Sequence, residues 1–500
     1  MGDAARGCNS SVAKATKDAN SEDTPAPQHT SHSTITLRQS IFPVCLVTVL
    51  FFLWGFAYGL LDVLNAKFQT ALNITAAKAG GLQASYFGAY LIVRVPINLV
   101  TNHVCVVLRS TDNAGRKAPL TFSGWIVRKF GYKWTFITGL CIYGVGALMF
   151  WPSAVYKSFP GFCGSLFIVG SGLSTLETSA NPYIATCGPP RLSEFRLEIS
   201  QSFQAIGSVV APLLASKLFF KDANINDLGH VQWTYVGIAA FVFSWSVVFF
   251  FSPIPEITDD DMAMQAQESA DLTGYVERPL WKQRKLILGV IAVFFNAGAQ
   301  VSIASQFISY SVESAGLSHS VASDRYAIAQ ALFAVGRFVA AGLFMTMAPR
   351  KVLLVFVVLI MVFNACAMAV WGEGGVATLS MVLFFESCTF PTIFALSIRG
   401  LGRHTKRGSS WLVAAVCGAA LFPSLTGLLA DHAGYHKAMA VPLACFVVVL
   451  IFPACLNTAY RKELDGFRET RLGYKSDATV IDTDDSDGIA KAHVTMKESV

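Results

Sequence analysis

The chain has 500 residues, of which 53% are hydrophobic and only 14% charged. A soluble globular protein carries about 25% charged residues, so this composition excludes a water-soluble domain and reads as an all-α polytopic membrane protein. The net charge of +6 does not point to nucleic acid, because the basic residues cluster in short loops between apolar runs.

Residues 1–40, rich in Ser, Thr, Asn, Asp and Ala, read as a disordered tail. No cleavable signal is expected, since the first apolar run is long enough to remain as an anchor. Spans are predicted near 41–66, 79–92, 134–152, 161–186, 196–220 and 232–252. Residues 253–284 are polar, with Thr258-Asp-Asp-Asp261 and then Arg278, Lys282 and Arg284, and read as a central loop. Further spans follow near 285–313, 323–347, 351–371, 376–399, 409–430 and 438–458, and then a polar tail over 459–500. The expectation is twelve transmembrane helices in two six-helix halves, 41–252 and 285–458. Most of the eleven cysteines fall inside the apolar runs as small hydrophobes, without C-x-x-C or zinc spacing, so no metal is expected.

Arg128, Lys129 and Lys133, Arg191 and Arg196, the 278–285 cluster, Arg350 and Lys351, Arg399 to Arg407, and Arg461 and Lys462 all fall on one side. The positive-inside rule then places both termini in the cytoplasm, with the plasma membrane as the expected location. The sequon Asn73-Ile-Thr75 lies in the first outer loop, where Asn73 is a glycosylation candidate.

The second span is irregular. Its apolar run stops at Ile92, too short to cross, and meets Arg94, Pro96, Asn98, His103, Arg109 and the polar Ser110–Lys117. Joining Ile92 to Ala118 gives a run of about twenty-three residues, a full span. Residues 93–117 therefore read as an insertion, of the kind a retained intron translated in frame would leave. The alternative is a helix rerouted through Val95–Leu108 with a genuine long loop.

The chemistry centres on Leu173-Ser-Thr-Leu-Glu177-Thr-Ser-Ala-Asn181-Pro182 in the fourth span. An ionisable side chain at mid-span costs at least about 2.5 kcal/mol, so Glu177 must face a cavity or a partner. Small neighbours let other helices approach closely, and Pro182 should bend or loosen the helix near Asn181. The tenth span carries Thr389-Phe-Pro391 at the corresponding place, and paired Pro-interrupted helices point to a site between repeats. A second acid, Asp62, lies in the first span. Two such carboxyl groups suit proton coupling, taking up a proton on one side and releasing it on the other. The structural alternatives are that Glu177 is merely satisfied within a bundle and that Asp62 caps a helix three residues before Asn65.

Amides on the spans suit a neutral ligand bearing hydroxyls, because they donate and accept at once. Gln201 and Gln204 lie three apart on one helix face, and Gln83, Asn65, Asn181, Asn296, Gln300 and Gln306 occupy comparable positions. Trp54, Phe56, Tyr58 and Tyr310 are candidates to stack on a sugar face. Glu386 and Asn364 carry no clear reading, and Arg337 is expected near the cytoplasmic end of its helix. No nucleotide-binding loop, metal spacing or nucleophile constellation marks an enzyme, and no cofactor beyond the proton is expected.

Phe51–Asn65, Ala84-Ser-Tyr-Phe-Gly-Ala-Tyr90, Leu176–Pro182, Phe195-Arg-Leu-Glu-Ile-Ser-Gln201, Gly298-Ala-Gln300, Gly336-Arg-Phe338, Pro391-Thr-Ile-Phe394 and Gly408-Ser-Ser410 together resemble the L-fucose permease group of the major facilitator superfamily. These are fucose/galactose/glucose–proton symporters, and the resemblance covers about 45–458 apart from 93–117. The tails and central loop look like those of a fungal member. The resemblance implies two six-helix bundles around a cavity that opens alternately to either side. It further implies Asp62 and Glu177 as the proton-coupling carboxylates, Asn181 and Gln201 in the sugar cavity, and Gln204 where the bacterial relative has an asparagine. Gly59 departs from that relative's cavity asparagine, which leaves the sugar open. The expected partners are a monosaccharide, the proton and the lipid bilayer, with the chain a monomer. Competing readings are a non-transporting sugar sensor of the same fold and a chain left inactive by its insertion.

Overall fold

The computed structural model describes residues 37–71, 76–92, 122–219, 229–257, 259–268 and 278–469, and the side chains of 61–71, 76–80 and 83 are not among those described. Twelve long helical segments follow in chain order. The first six are α1 (Leu37–Ala71), α2 (Ala76–Ile92), α3 (Phe122–Leu148), α4 (Phe159–Thr186), α5 (Ser193–Phe219) and α6 (Gly229–Phe251). Then come α7 (Arg284–Ala315), α8 (His319–Thr346) and α9 (Pro349–Ala369), with α10 (Glu373–Ile398), α11 (Gly402–Ala433) and α12 (Tyr435–Thr458) closing the series. Among the described residues, ten have the length and apolarity to cross a membrane. α2 has 17 residues, and of α5 only the side chains of 193–211 are described.

Local sequence explains where the helices start and stop. The Ser158 hydroxyl accepts from the Gly161 amide ahead of α4, and Ser318 does the same for Val321 at α8, satisfying donors that a helix start leaves orphaned. Gly316 ends α7 at φ +63°, a left-handed cap. Within α3 the helix breaks at Gly131, φ +84°. A Cβ there would stand 2.6 Å from the Glu256 carboxylate, which accepts from the Tyr132 amide at 2.8 Å. The residues 122–130 are therefore a separate helical piece, and the third span proper starts where the sequence puts it.

The two halves pair their helices alike. In the first, α1 packs on α5, α2 and α3 on α4, and α3 on α6; in the second, α7 packs on α11, α8 and α9 on α10, and α9 on α12. Between halves, α5 meets α8 and α10, while α2 and α4 meet α11. Small residues allow the closest crossings: a Cβ on Gly55 of α1 would fall 1.9 Å from the Gln204 carbonyl oxygen of α5, and one on Gly207 would fall 2.4 Å from that of Phe52. At the end rich in Lys and Arg, one ion pair joins the halves and another ties the second half to the segment after α6. Arg399 bonds Glu194 and also donates to the Pro190 carbonyl at 3.2 Å. Lys406 lies 3.4 Å from Glu256 and 4.7 Å over the Tyr132 ring.

One helix of the proline pair is broken. α10 splits between Glu386 and Thr389, at the carbonyls with which the ring of Pro391 collides four residues back. α4 instead continues through Pro182 to Thr186 without a break. Hydroxyls of Thr178, Ser179 and Thr186 bond the carbonyls of Ser174, Thr175 and Pro182 inside that helix.

Candidate functional site

A cavity with about 800 Å³ of empty space lies between the halves. The first half contributes Trp54 and Tyr58 of α1, Phe87 of α2, Glu177 of α4, and Gln201, Gln204 and Ser208 of α5. The second contributes Gln300 and Val301 of α7, Gln330, Phe333 and Arg337 of α8, Leu383 and Phe390 of α10, and Val416 and Ala419 of α11. A smaller extension runs behind it along Leu50, Phe51, Leu173, Leu176 and Ala180 and shares Trp54, Glu177, Gln201 and Gln204.

The polar side chains form one chain of hydrogen bonds. Asn181, one turn beyond Glu177, donates its Nδ2 to Glu177 Oε1 at 3.4 Å. Gln201 Nε2 donates to Asn181 Oδ1 at 3.2 Å. Arg337 Nη1 then reaches from the other half to the side-chain oxygens of Gln201 and Gln204, each at 3.1 Å, and to the Gln201 carbonyl. Glu177, Asn181, Gln201, Gln204 and Arg337 are all buried. The aromatic part of the wall is ordered too, with the Trp54 Nε1 donating to the Tyr90 hydroxyl at 2.5 Å and its ring stacked on Tyr58 at 6.2 Å. Amides beside flat aromatic faces can bind a ring that has hydroxyls on its edge and C–H groups on its faces.

The remaining sequence expectations divide. Gln300 is in the wall. Asn296, on the same helix, is fully buried away from it, and neither side-chain atom has a partner among the described residues. Asp62 and Asn65 lie on α1 and Gln83 on α2, but their side chains are outside those described. Asn73 is likewise outside the described residues. Gln306 and Phe56 are half-buried and not in the wall. Tyr310 is not a cavity residue: its hydroxyl donates to the Ala367 carbonyl at 2.6 Å and its ring packs 4.7 Å from His436. Asn364 is structural, tying α9 to the Met439 carbonyl at 3.2 Å.

Arg337 corrects the sequence reading. Its place is not a basic helix end but the cavity wall, nine residues before α8 finishes. Buried arginines signal themselves only through what they meet, and Arg337 meets α5, which is 133 and 136 residues away. Of two further acids, Glu198 has no place in the sequence reading and Glu386 is named there without a role. Glu198, one turn before Gln201, is fully buried, and Glu386 of α10 is 1% exposed. The signal for Glu386 lay in the repeat: Glu177-Thr-Ser-Ala-Asn-Pro182 and Glu386-Ser-Cys-Thr-Phe-Pro391 share a glutamate five residues before proline.

Comparison with known proteins agrees with this architecture. The sequence profile of the Major Facilitator Superfamily matches residues 120–417. A glucose/galactose transporter of Brucella abortus biovar 1 (strain 9-941) is 29% identical over 442 residues, covering 87% of this chain and 98% of that protein. The L-fucose-proton symporter of Escherichia coli (strain K12) is 30% identical over 438 residues, covering 83% and 93%. Among solved structures, the transporter FucP in the outward conformation superposes with a TM-score of 0.68 at 29% identity, over 83% of this chain and 98% of that one. The proton:xylose symporter XylE, at 14% identity and a TM-score of 0.60, shares the fold. With twelve helices paired alike in two halves and this likeness over most of its length, the chain belongs to the major facilitator superfamily and, within it, to the L-fucose permease group.

Proposed function

We propose that this chain is a proton-coupled symporter of a monosaccharide of the fucose, galactose or glucose type, working by alternating access. The observation that carries the reading is the hydrogen-bonded run Glu177–Asn181–Gln201–Arg337–Gln204, set against Trp54 and Tyr58 in a cavity walled by both halves. Glu177 takes up and releases the proton, with Asp62 of α1 as the second coupling acid. Asn181, Gln201, Gln204 and Gln300 hold the sugar hydroxyls, joined by Asn65 and Gln83, while Asn296 is buried away from the wall and takes no part. The activities of the two relatives, sugar transport with proton symport in one, support the same reading.

The basic end, taken as cytoplasmic, is tied shut by Arg399 with Glu194 and Lys406 with Glu256, so this arrangement corresponds to a state closed toward the cytoplasm. The plasma membrane, cytoplasmic termini and a monomeric chain complete the proposal. Sugar uptake in a transporter-null cell, with alkalinisation of the medium on sugar addition, is the expected behaviour. Both effects vanish in Asp62→Asn or Glu177→Gln, and uptake untouched by both substitutions removes the coupling roles.

Residues 93–117 we read as an insertion within the second span. Two observations support it: a helical piece over 122–130 ends at Gly131 before the third span begins, and the family profile starts at residue 120. Deleting 93–117 is expected to raise surface delivery and uptake together; a deletion variant that no longer reaches the surface argues for a genuine loop.

A further inference from the structure

Glu198 has no role in the wall described above, yet it lies beside its cation. It sits on α5 one turn before Gln201 and is 0% exposed, and neither carboxylate oxygen meets a donor among the described residues. The charge facing it is Arg337 of α8. That guanidinium is itself buried, with Nη1 engaged by Gln201 and Gln204 while its Nε meets no acceptor among the described residues. A buried carboxylate without donors is strongly disfavoured as the ion and tolerated as the neutral acid. A guanidinium keeps its charge in either case.

Among the described residues, the other elements packed on α5 do not supply a second cation. α1 brings Thr48, bonded to Ser200 at 2.9 Å, and has no charged residue over Ser40–Leu60. α4 brings Glu177, a like charge, and α6 has none over Gln232–Phe251. α10 brings the Cys388 thiol and, beyond its end, Arg399, which is bonded to Glu194. Arg191 of the turn Pro190–Leu192 is exposed. Arg196 of α5 itself is committed to the Ile184, Ala185 and Pro189 carbonyls, so among the described residues ionised Glu198 has one cation to draw on, and it is the one that pins the two amides.

We propose that Glu198 is a proton-operated positioning residue: protonated, it leaves Arg337 holding the oxygens of Gln201 and Gln204, and ionised, it pulls Arg337 away from them. The inference rests on the sugar-site reading of the cavity. An amide whose oxygen is pinned presents its N–H donors in a fixed direction, so the protonated state is the one organised for hydroxyls. Proton and sugar then favour each other's binding, and by linkage the effect is reciprocal. That is the sense in which a symporter must be coupled.

The full chain in lipid nanodiscs provides two readouts. In the first, binding of D-galactose, D-glucose and L-fucose is measured from mildly acidic to mildly alkaline pH in the wild type, Glu198→Gln and Glu198→Asp. Wild type and Glu198→Asp are expected to lose affinity by about fivefold or more as pH rises, the lower end of ordinary two-site coupling. Glu198→Gln is expected to lose clearly less affinity than the wild type over the same rise in pH, keeping only the dependence that Glu177 and Asp62 supply, and a Glu198→Gln protein that follows the wild-type profile overturns the inference. The second readout is infrared difference spectroscopy without sugar. A protonated-carboxyl band that titrates in the wild type, is missing from Glu198→Gln and is displaced in Arg337→Gln is the expected result; its persistence in Glu198→Gln overturns the inference. A wild type that binds none of the three sugars defeats the transport reading alone, and the infrared bands still decide this one.

Discussion

Gln201 and Gln204 are each held by two kinds of contact, their own helix and a guanidinium from the other half. Truncating either to alanine removes a ligand-facing amide and takes an acceptor from the buried Arg337. Leaving a buried group unsatisfied costs about 1–3 kcal/mol, so each single substitution should weaken sugar binding by about 5- to 150-fold. Because both amides share Arg337, the double substitution should fall short of the summed effects, as measured by equilibrium binding on the purified chain. Glu177, Asn181, Gln201 and Gln204 were legible in the sequence, since acids and amides at helical spacing inside apolar runs have few structural uses. Glu198 was not: next to Glu194 and Arg196 it looks like the charged start of a helix, and only the crossing of α5 over α8 reveals that it is buried.

Among the elements, α5 is tightly placed against α1. Gly207 lies against the Phe52 carbonyl and Gly55 against that of Gln204, so α1 and α5 touch backbone to backbone and fix the depth of Gln204 in the wall. Gly207→Val should force the two helices apart, lowering both the melting temperature and sugar affinity; a variant unchanged in both would show that this crossing does not set the site. A pH effect belongs to the segment after α6. Burial holds the Glu256 carboxyl above the ordinary glutamate range, against the pull of Lys406 and the Tyr132 amide. For folding, a raised value means that the contribution of Glu256 is present below the ordinary glutamate pKa and lost as pH rises through the raised one. The tie to Lys406 runs the other way, because it needs the ionised form. As pH falls, Glu256 should take up its proton before an ordinary glutamate does and release Lys406. Spin labels at Ile254 and His404 should therefore move apart on mild acidification in the wild type and show no such step in Glu256→Gln.

For the whole molecule, the sequence was a good guide to number and order of helices, because span length and apolarity are local properties. It was a poor guide to how the halves meet, because that depends on pairs such as Glu194 with Arg399, 205 residues apart. Both members of that pair are buried, at 2% and 6% side-chain exposure. Removing one member of a buried pair strands the other at a cost of about 3–5 kcal/mol, so Arg399→Ala should destabilise the closed basic end. Thermal unfolding should fall, and a cysteine placed at the fully buried Ser409 should become reactive from that side. Arg399→Ala with unaltered reactivity would leave closure to the remaining contacts.

The unequal behaviour of the two prolines gives the halves different stiffness. α4 carries Glu177 and Asn181 on one uninterrupted rod, while α10 is jointed at Ser387 and Cys388, where Gly336 of α8 lies against the Phe384 carbonyl and the Ser387 hydroxyl. During a change of access, bending concentrates at this joint, which lets Leu383 and Phe390, one on either side of it, shift against each other in the cavity wall. The first half thus acts as the anvil that keeps acid and amides in register, and the second half supplies the articulated jaw.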